Sequence, residues 1–384
     1  MKKIVLLFII IVCCHLENRA FTLSPEAEIS VLTCSSGSEL YSLFGHTAIR
    51  VHDPRANYDQ VFNYGTFDFQ TPHFYLKYAK GLLPYYLAKS SFDHFMEMYK
   101  MDERSVYSQT LLLDSLQKQT LFNLLLDNYR PQNRAYLYNF LFDNCTTRSR
   151  DILVKSLPGK VEWNLSDTGK NFWNLLDEYL QASPWVQWGI HTILGQRGNR
   201  QASPFQYMFL PDYLMYGLNS AQYNHRRLAT DATILYQAPE NSVPTPWYFT
   251  PVFVFAFGVL LIILILYKSK SRCLLNTVTV LMFLFSGIVG CLIVFLGAFT
   301  EHPMTAPNWN ILWANPLNLF VWPFLLGRQL PRTILFYLHF YLIMLTVALP
   351  VWIFAQPAIP MASLSLIILL LYLCLQIRKK AYMC

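Results

Sequence analysis

Two kinds of hydrophobic pattern divide this chain. From about residue 252 onward the apolar positions run on without period, in blocks covering 252–267, 274–299, 311–327, 334–354 and 361–377. Blocks of that length and uniformity match membrane spans better than surface helices. Between 21 and about 246, apolar and polar positions instead alternate or recur at short intervals, as in a folded domain with a wet surface. "AEISVLTCS", "HTAIRVHD" and "DQVFNYGTFDF" are alternating and rich in β-branched or aromatic residues, which predicts strands. "DSLQKQTLFNLLLDN", 114–128, spaces its leucines at helical intervals behind a capping Asp114. In "FLFDNCTTRSRDIL" Asp143 and Asn144 read as caps, and Cys145 falls on the first helical residue. The expected fold is an α+β domain followed by an all-α multispan membrane region.

The block at 311–327 is the weakest span, because Pro316 and Pro323 interrupt it and Asn315 and Asn318 lie within it. A broken or re-entrant segment is expected there, tolerated only where protein covers the freed backbone groups. The first twenty residues carry two lysines, an eleven-residue apolar run from Ile4 to Cys14, and a polar stretch ending at Ala20. That is the anatomy of a signal peptide, with an uncleaved anchor as the alternative. The expected domains are therefore a signal peptide at 1–20, an extracytoplasmic catalytic domain at 21–246 and a transmembrane domain of about five helices at 247–384.

Charge fixes the orientation. Lys268, Lys270 and Arg272 follow the first span, Arg328 and Arg332 the third, and Arg378, Lys379 and Lys380 the fifth, whereas "TEHPMTAPNWN" and "AQPAIP" hold no Lys or Arg. Basic loops stay in the cytoplasm, so the N-terminal domain faces outward, into the periplasm, and the C-terminus inward. With 54% apolar and only 14% charged residues, the chain is too apolar for one soluble domain. Part of the formal net charge of +7 sits in the basic loops and reports topology, not nucleic-acid binding.

A cysteine at a helix start meets unpaired backbone N–H groups and the positive end of the helix dipole, which favour the thiolate. His46, on a strand after Gly45, is the candidate base for Cys145, and Asn63, in "FNYG" on the next strand, is the candidate to fix the imidazole. Two readings without catalysis stay open at this level. Cys145 is a packed small hydrophobe, or it pairs with Cys34, the only other cysteine in the outward domain. The remaining histidines of that domain, His52, His73, His94, His191 and His225, show no metal-ligand spacing, so neither metal nor other cofactor is expected.

The order of a strand histidine and then a helix-start cysteine, in "GHTAIRV" and "DNCTTRSRDIL", resembles the circularly permuted branch of the NlpC/P60 papain-like superfamily, which includes lecithin:retinol acyltransferase. More closely, "LTCSSGSELYSLFGHTAIRV", "VFNYGTFDF", "NRAYLYNFLFDNCTTRSRDIL" and the tail block "TEHPMTAPNWNILWANPLN" resemble the Bacteroides-type lipoprotein N-acyltransferase (Lnb) family. The resemblance implies a papain-like periplasmic domain on a multispan membrane domain. It also implies transfer of an acyl chain from a membrane phospholipid to the N-terminal amine of a diacylated lipoprotein, with Cys145 as nucleophile and His46 as base. The rival activities are an NlpC/P60-like cell-wall peptidase or phospholipid hydrolase, and a partner-binding membrane protein without catalysis.

Candidate substrate contacts are Tyr64, Arg148, His302, Asn308 and Asn310. Arg148, with Arg150, sits just past the cysteine, where it either draws a phosphate or makes a surface ion pair. His302, Asn308, Asn310 and Asn315 are dense polar residues at membrane depth, where each is costly unless paired or used; they either form a lipid or lipoprotein site or satisfy the backbone broken by prolines. "FYLKYAKGLLPYYL", with Tyr85 and Tyr86, reads either as a membrane-facing edge or as core. The segments holding Trp185, Trp188 and Tyr213 carry the same ambiguity.

Overall fold

Runs of β-branched and aromatic residues, packed on both faces, build the sheet. In a computed structural model, which describes residues 21–239, 245–327, 329–355 and 359–381, the first three strands are β1 (Glu28–Cys34), β2 (His46–Asp53) and β3 (Tyr58–Thr66). All three lie where the alternation predicts them. They form an antiparallel meander, with Cys34 opposite His46 and Ile49 opposite Phe62. One face carries Ile29, Val31, Ile49, Val51 and Phe62, against Leu121 and Phe122 of helix Ser115–Tyr129 and Leu153 of helix Cys145–Lys155. The other carries Leu32, Cys34, Ala48 and Val61, against Phe95 and Tyr99 of helix Phe92–Met101. Each aliphatic side chain so buried contributes about 1.5–3 kcal/mol.

The sheet is larger than the sequence suggests. β4 (Pro84–Ser91), β5 (Val106–Thr110), β6 (Ala135–Leu137) and β10 (Thr233–Tyr236) join it in the order β10-β5-β1-β2-β3-β4-β6. β7 (Val161–Glu162), β8 (Gln222–Tyr223) and β9 (Arg226–Arg227) make a separate small sheet. Asp114 caps helix Ser115–Tyr129 as expected, in a reciprocal box with Gln117. The proposed signal peptide lies outside the described residues.

In the C-terminal region, helices Pro251–Ser269, Arg272–Ala298 and Arg332–Phe354 are long and apolar enough to cross a membrane. Helix Ser363–Ala381 is 19 residues long, like the first, but its last turns hold Arg378 and Lys379. The third expected span is not one helix: it breaks into the short turns Trp309–Leu312, Asn318–Val321 and Trp322–Leu326. Prolines at 316 and 323 remove backbone donors there. Polar side chains hold the broken stretch against its neighbours. Asn318 Nδ2 donates to Ser286 Oγ at 2.8 Å, the Tyr337 hydroxyl donates to Asn318 Oδ1 at 2.6 Å, and the Tyr341 hydroxyl donates to the Trp313 carbonyl.

Loop 300–308 locks the α+β region onto these helices. The Gly195 N–H donates to the Met304 carbonyl and the Gln196 N–H to the Pro307 carbonyl, both at 2.7 Å, and the Met304 side chain is buried in the α+β core. Gly195 is required by this approach, since a Cβ there would sit 2.5 Å from the Pro307 oxygen. Helix Pro184–Ile193 rests on the same end of the bundle: Trp185 Nε1 donates to the Phe249 carbonyl at 2.8 Å and Trp188 Nε1 to Ser363 Oγ at 3.0 Å. These two tryptophans therefore join the two regions.

Candidate active site

Helix Cys145–Lys155 starts where Asn144 stops the chain from coiling earlier. Asn144 Oδ1 accepts from the N–H groups of Thr146 and Thr147 at 2.9 Å each, Thr147 Oγ1 accepts from the Asn144 N–H, and Asn144 Nδ2 donates to the carbonyls of Phe140 and Phe209. A cap bonded on both sides leaves the first helical residue little freedom. That residue is Cys145. Thr146 Oγ1 lies 3.1 Å from Thr47 Oγ1, which ties the helix start to the beginning of β2.

The thiol is buried and free. Burial alone would push its pKa up. The charge of His46, a hydrogen bond with the His46 side chain, the Thr47 N–H and the Thr146 hydroxyl outweigh that and bring it down to about 7. His46 in turn lies within hydrogen-bond distance of Asn63, Nε2 to Oδ1. An amide oxygen only accepts, so Nε2 carries the proton, and Nδ1 is the nitrogen left to face the sulfur. The ring also stacks on Tyr99, with centroids 6.4 Å apart. Cys145, His46 and Asn63, chosen from distant parts of the sequence, thus form one contiguous set.

Cys34 does not disturb it. This second thiol is also free, and burial, set against the nearby Arg104 and a hydrogen bond from Tyr99, pushes it up to about 12. It is a packed, protonated neighbour.

Gly65, near the end of β3, was missed by sequence reasoning. Its φ of +88° is a left-handed conformation, and a Cβ there would lie 3.5 Å from Cys145 Cβ and 4.0 Å from His46 Cε1. A side chain here would rest against both the thiol-bearing carbon and the imidazole. Gly65→Ala is expected to cost about 1–3 kcal/mol in backbone strain and to slow alkylation of Cys145 by a bulky maleimide more than by iodoacetamide. Equal slowing by the two reagents would show that the methyl does not narrow the approach.

The other expected contacts lie elsewhere or are already engaged. Tyr64 is buried, because alternation along β3 turns it away from the face of Asn63, and its hydroxyl donates to Asn128 Oδ1 at 2.7 Å. Arg148 makes a two-pronged ion pair with Asp143, at 2.6 and 2.8 Å, and its guanidinium lies 3.6 Å over the Tyr136 ring. Arg150 lies over Phe205 and donates to that residue's carbonyl. His302 Nε2 donates to the Ala79 carbonyl at 3.1 Å. Asn308 Nδ2 donates to the carbonyls of Thr192 and Ile193, while its Oδ1 accepts from the Asn310 backbone; Asn310 is fully buried and accepts from Trp313 Nε1. His302, Asn308 and Asn310 therefore serve to dock and brace the loop. The Thr47 N–H could not have been found from sequence, since any residue type supplies one.

Residues 19–177 match the family model described as the Lnb N-terminal periplasmic domain, and residues 241–382 match the one described as the Lnb transmembrane domain. The chain belongs to the Lnb family. No curated protein and no solved structure matches it. Lnb membership indicates a lipoprotein N-acyltransferase-like protein of the inner membrane with its N-terminal domain in the periplasm. Cys145, His46 and Asn63 all fall within the Lnb periplasmic match. The docking helix Pro184–Ile193 and strands β8 to β10 fall between the two Lnb matches.

Proposed function

We propose that this protein is an apolipoprotein N-acyltransferase that works through an acyl thioester on Cys145, in a periplasmic domain of permuted papain-like (NlpC/P60) type, with its C-terminus in the cytoplasm. The observation that carries the reading is the mutual contact of a thiol near neutral pKa, an imidazole and an amide at a capped helix start.

The steps follow from that contact. The Cys145 thiolate attacks the ester carbonyl of a membrane phospholipid; a C–S bond forms, the C–O bond breaks, and His46 gives its Nδ1 proton to the departing lysophospholipid oxygen. The N-terminal amine of a diacylated lipoprotein then attacks the thioester. A C–N bond forms, the C–S bond breaks, His46 Nδ1 takes the amine's proton, and the thiolate returns. Asn63 holds the ring through both steps and keeps the same nitrogen aimed at the sulfur.

The clamp formed by loop 300–308 favours transfer over the peptidase alternative, because it holds the thiol-bearing domain on the membrane helices, near lipid substrates and away from the cell wall. The test uses the purified full-length protein in phospholipid vesicles. Acid quench and peptide mass spectrometry are expected to find one acyl chain on Cys145, lost on addition of a diacylated lipopeptide with appearance of an amide-linked third chain. Release of free fatty acid at the same rate without the acceptor would mean a phospholipid hydrolase. Cleavage of muropeptides would mean a peptidase, and an unmodified Cys145 a non-enzymatic protein.

A further inference from the structure

The start of β2 and the end of β3 lie at the same end of this antiparallel pair, so the loops flanking His46 and Asn63 emerge side by side. Tyr41 from the first loop meets Phe67 from the second, centroids 6.5 Å apart. Beyond Phe67 the chain forms a short helix, Phe74–Lys80, that exposes apolar side chains: Tyr75 is 82% exposed, Leu76 52% and Tyr78 51%, with Phe69 at 65% just before it. An apolar surface of this density on an outward domain requires an occupant.

Its position says which. The C-terminal end of this helix is bonded to the membrane region, the Lys80 carbonyl accepting from the Glu301 N–H at 3.0 Å and the Ala79 carbonyl from His302 Nε2. Glu301 lies three residues past the end of the spanning helix Arg272–Ala298, so the contact is within about 10 Å of the bilayer boundary. Lys77 and Lys80 stand in the last turn, suited to headgroup phosphates.

A row of rings leads inward from the exposed helix. Tyr75 and Tyr78 flank Phe74, Phe74 meets Phe67 at 5.8 Å, Phe67 meets Tyr85 at 5.2 Å, and Tyr85 stacks on Tyr138 at 4.3 Å. Tyr85, Tyr136 and Cys145 belong to one buried cluster, and Tyr138 packs against it. We propose that segment 67–82 is immersed in the outer leaflet of the inner membrane, and that this row of rings is the path along which a phospholipid acyl chain reaches Cys145. The immersion stands on geometry alone; the path rests on the acyl-transfer reading.

The test places the full-length protein in nanodiscs containing phospholipid with a photoactivatable diazirine in its acyl chain, and maps adducts after irradiation. Segment 67–82 is expected to carry lipid at least about tenfold more densely than helix Phe92–Met101, whose Met101 is equally exposed at 78%. Equal labelling of the two overturns the immersion, whether or not the protein is active. The path is tested with the triple variant Tyr75→Ser, Leu76→Ser, Tyr78→Ser. Acylation of Cys145 from bilayer phospholipid is expected to fall about tenfold with its alkylation by iodoacetamide unchanged. Unchanged acylation overturns the path. If the triple variant also loses alkylation, Tyr75→Ser alone is read by the same two outcomes. A wild-type protein that labels at 67–82 but never acylates would sink the transfer reading and leave the immersion standing.

Discussion

Cys145→Ala is expected to lower lipoprotein N-acylation by about a thousandfold or more while leaving the protein in the membrane at its normal level. The two halves of that result have separate physical causes. Activity falls because no other group beside His46 can form a thioester: Cys34, the nearest alternative, is protonated across the working range and fully buried in the cluster of Phe95 and Tyr99. Folding survives because alanine is the best helix former, the cap is made by Asn144 and Thr147 and not by the cysteine, and losing one sulfur leaves only a small void. The measurement is the mass of lipoprotein N-terminal peptides from cells carrying the variant, with the protein itself quantified in the same membranes. Triacylated peptide above about a thousandth of wild type would place the nucleophile elsewhere.

His46→Ala carries the second largest effect, about a hundred- to ten-thousandfold on transfer, and it has a pH signature that a merely structural change lacks. A thiol with a pKa of about 7 is protonated below that pH and ionised above it, so alkylation of wild-type Cys145 by iodoacetamide rises through about pH 7 and levels off. The charge and hydrogen bond of His46 are the largest influences holding that value down; without them burial prevails and the midpoint moves up. Near pH 7 the variant's thiol is therefore slower to alkylate, and raising the pH restores it. Peptide-resolved rates keep the signal clear of Cys34, which ionises only at much higher pH. Superimposable profiles for the two proteins would remove His46 from the thiol's surroundings.

The legible parts of the fold are those where one residue type does one job. β1 to β3 were readable because their sequences are rich in β-branched and aromatic residues, even though β1 is buried at six consecutive positions. β5 was not: "VYSQT" buries Ser108 and Gln109, and Gln109 Nε2 donates to Asn219 Oδ1 on a helix more than a hundred residues away. β4 hid for the opposite reason, since "PYYLAKSS" has apolar residues on both faces at its start and the alternation is blurred.

The site divides in the same way. A capped cysteine and a strand histidine announce themselves by residue type, and Asn63 by its neighbouring strand. The polar residues of the membrane loop were equally conspicuous, but their chemistry is the same whether they hold a ligand or a carbonyl. Only the partners, Thr192, Ile193 and Ala79, decide between the two.

The burial of Met304 among the side chains of the α+β region has a consequence for biogenesis. The outward half is complete only after a plug encoded far downstream has been translated, threaded across the bilayer and returned to the periplasmic side. A nascent chain that stalled after Tyr236 would have Cys145, His46 and Asn63 and still lack the stopper that closes its interior. Completion of the outward core is in this way made contingent on successful membrane integration.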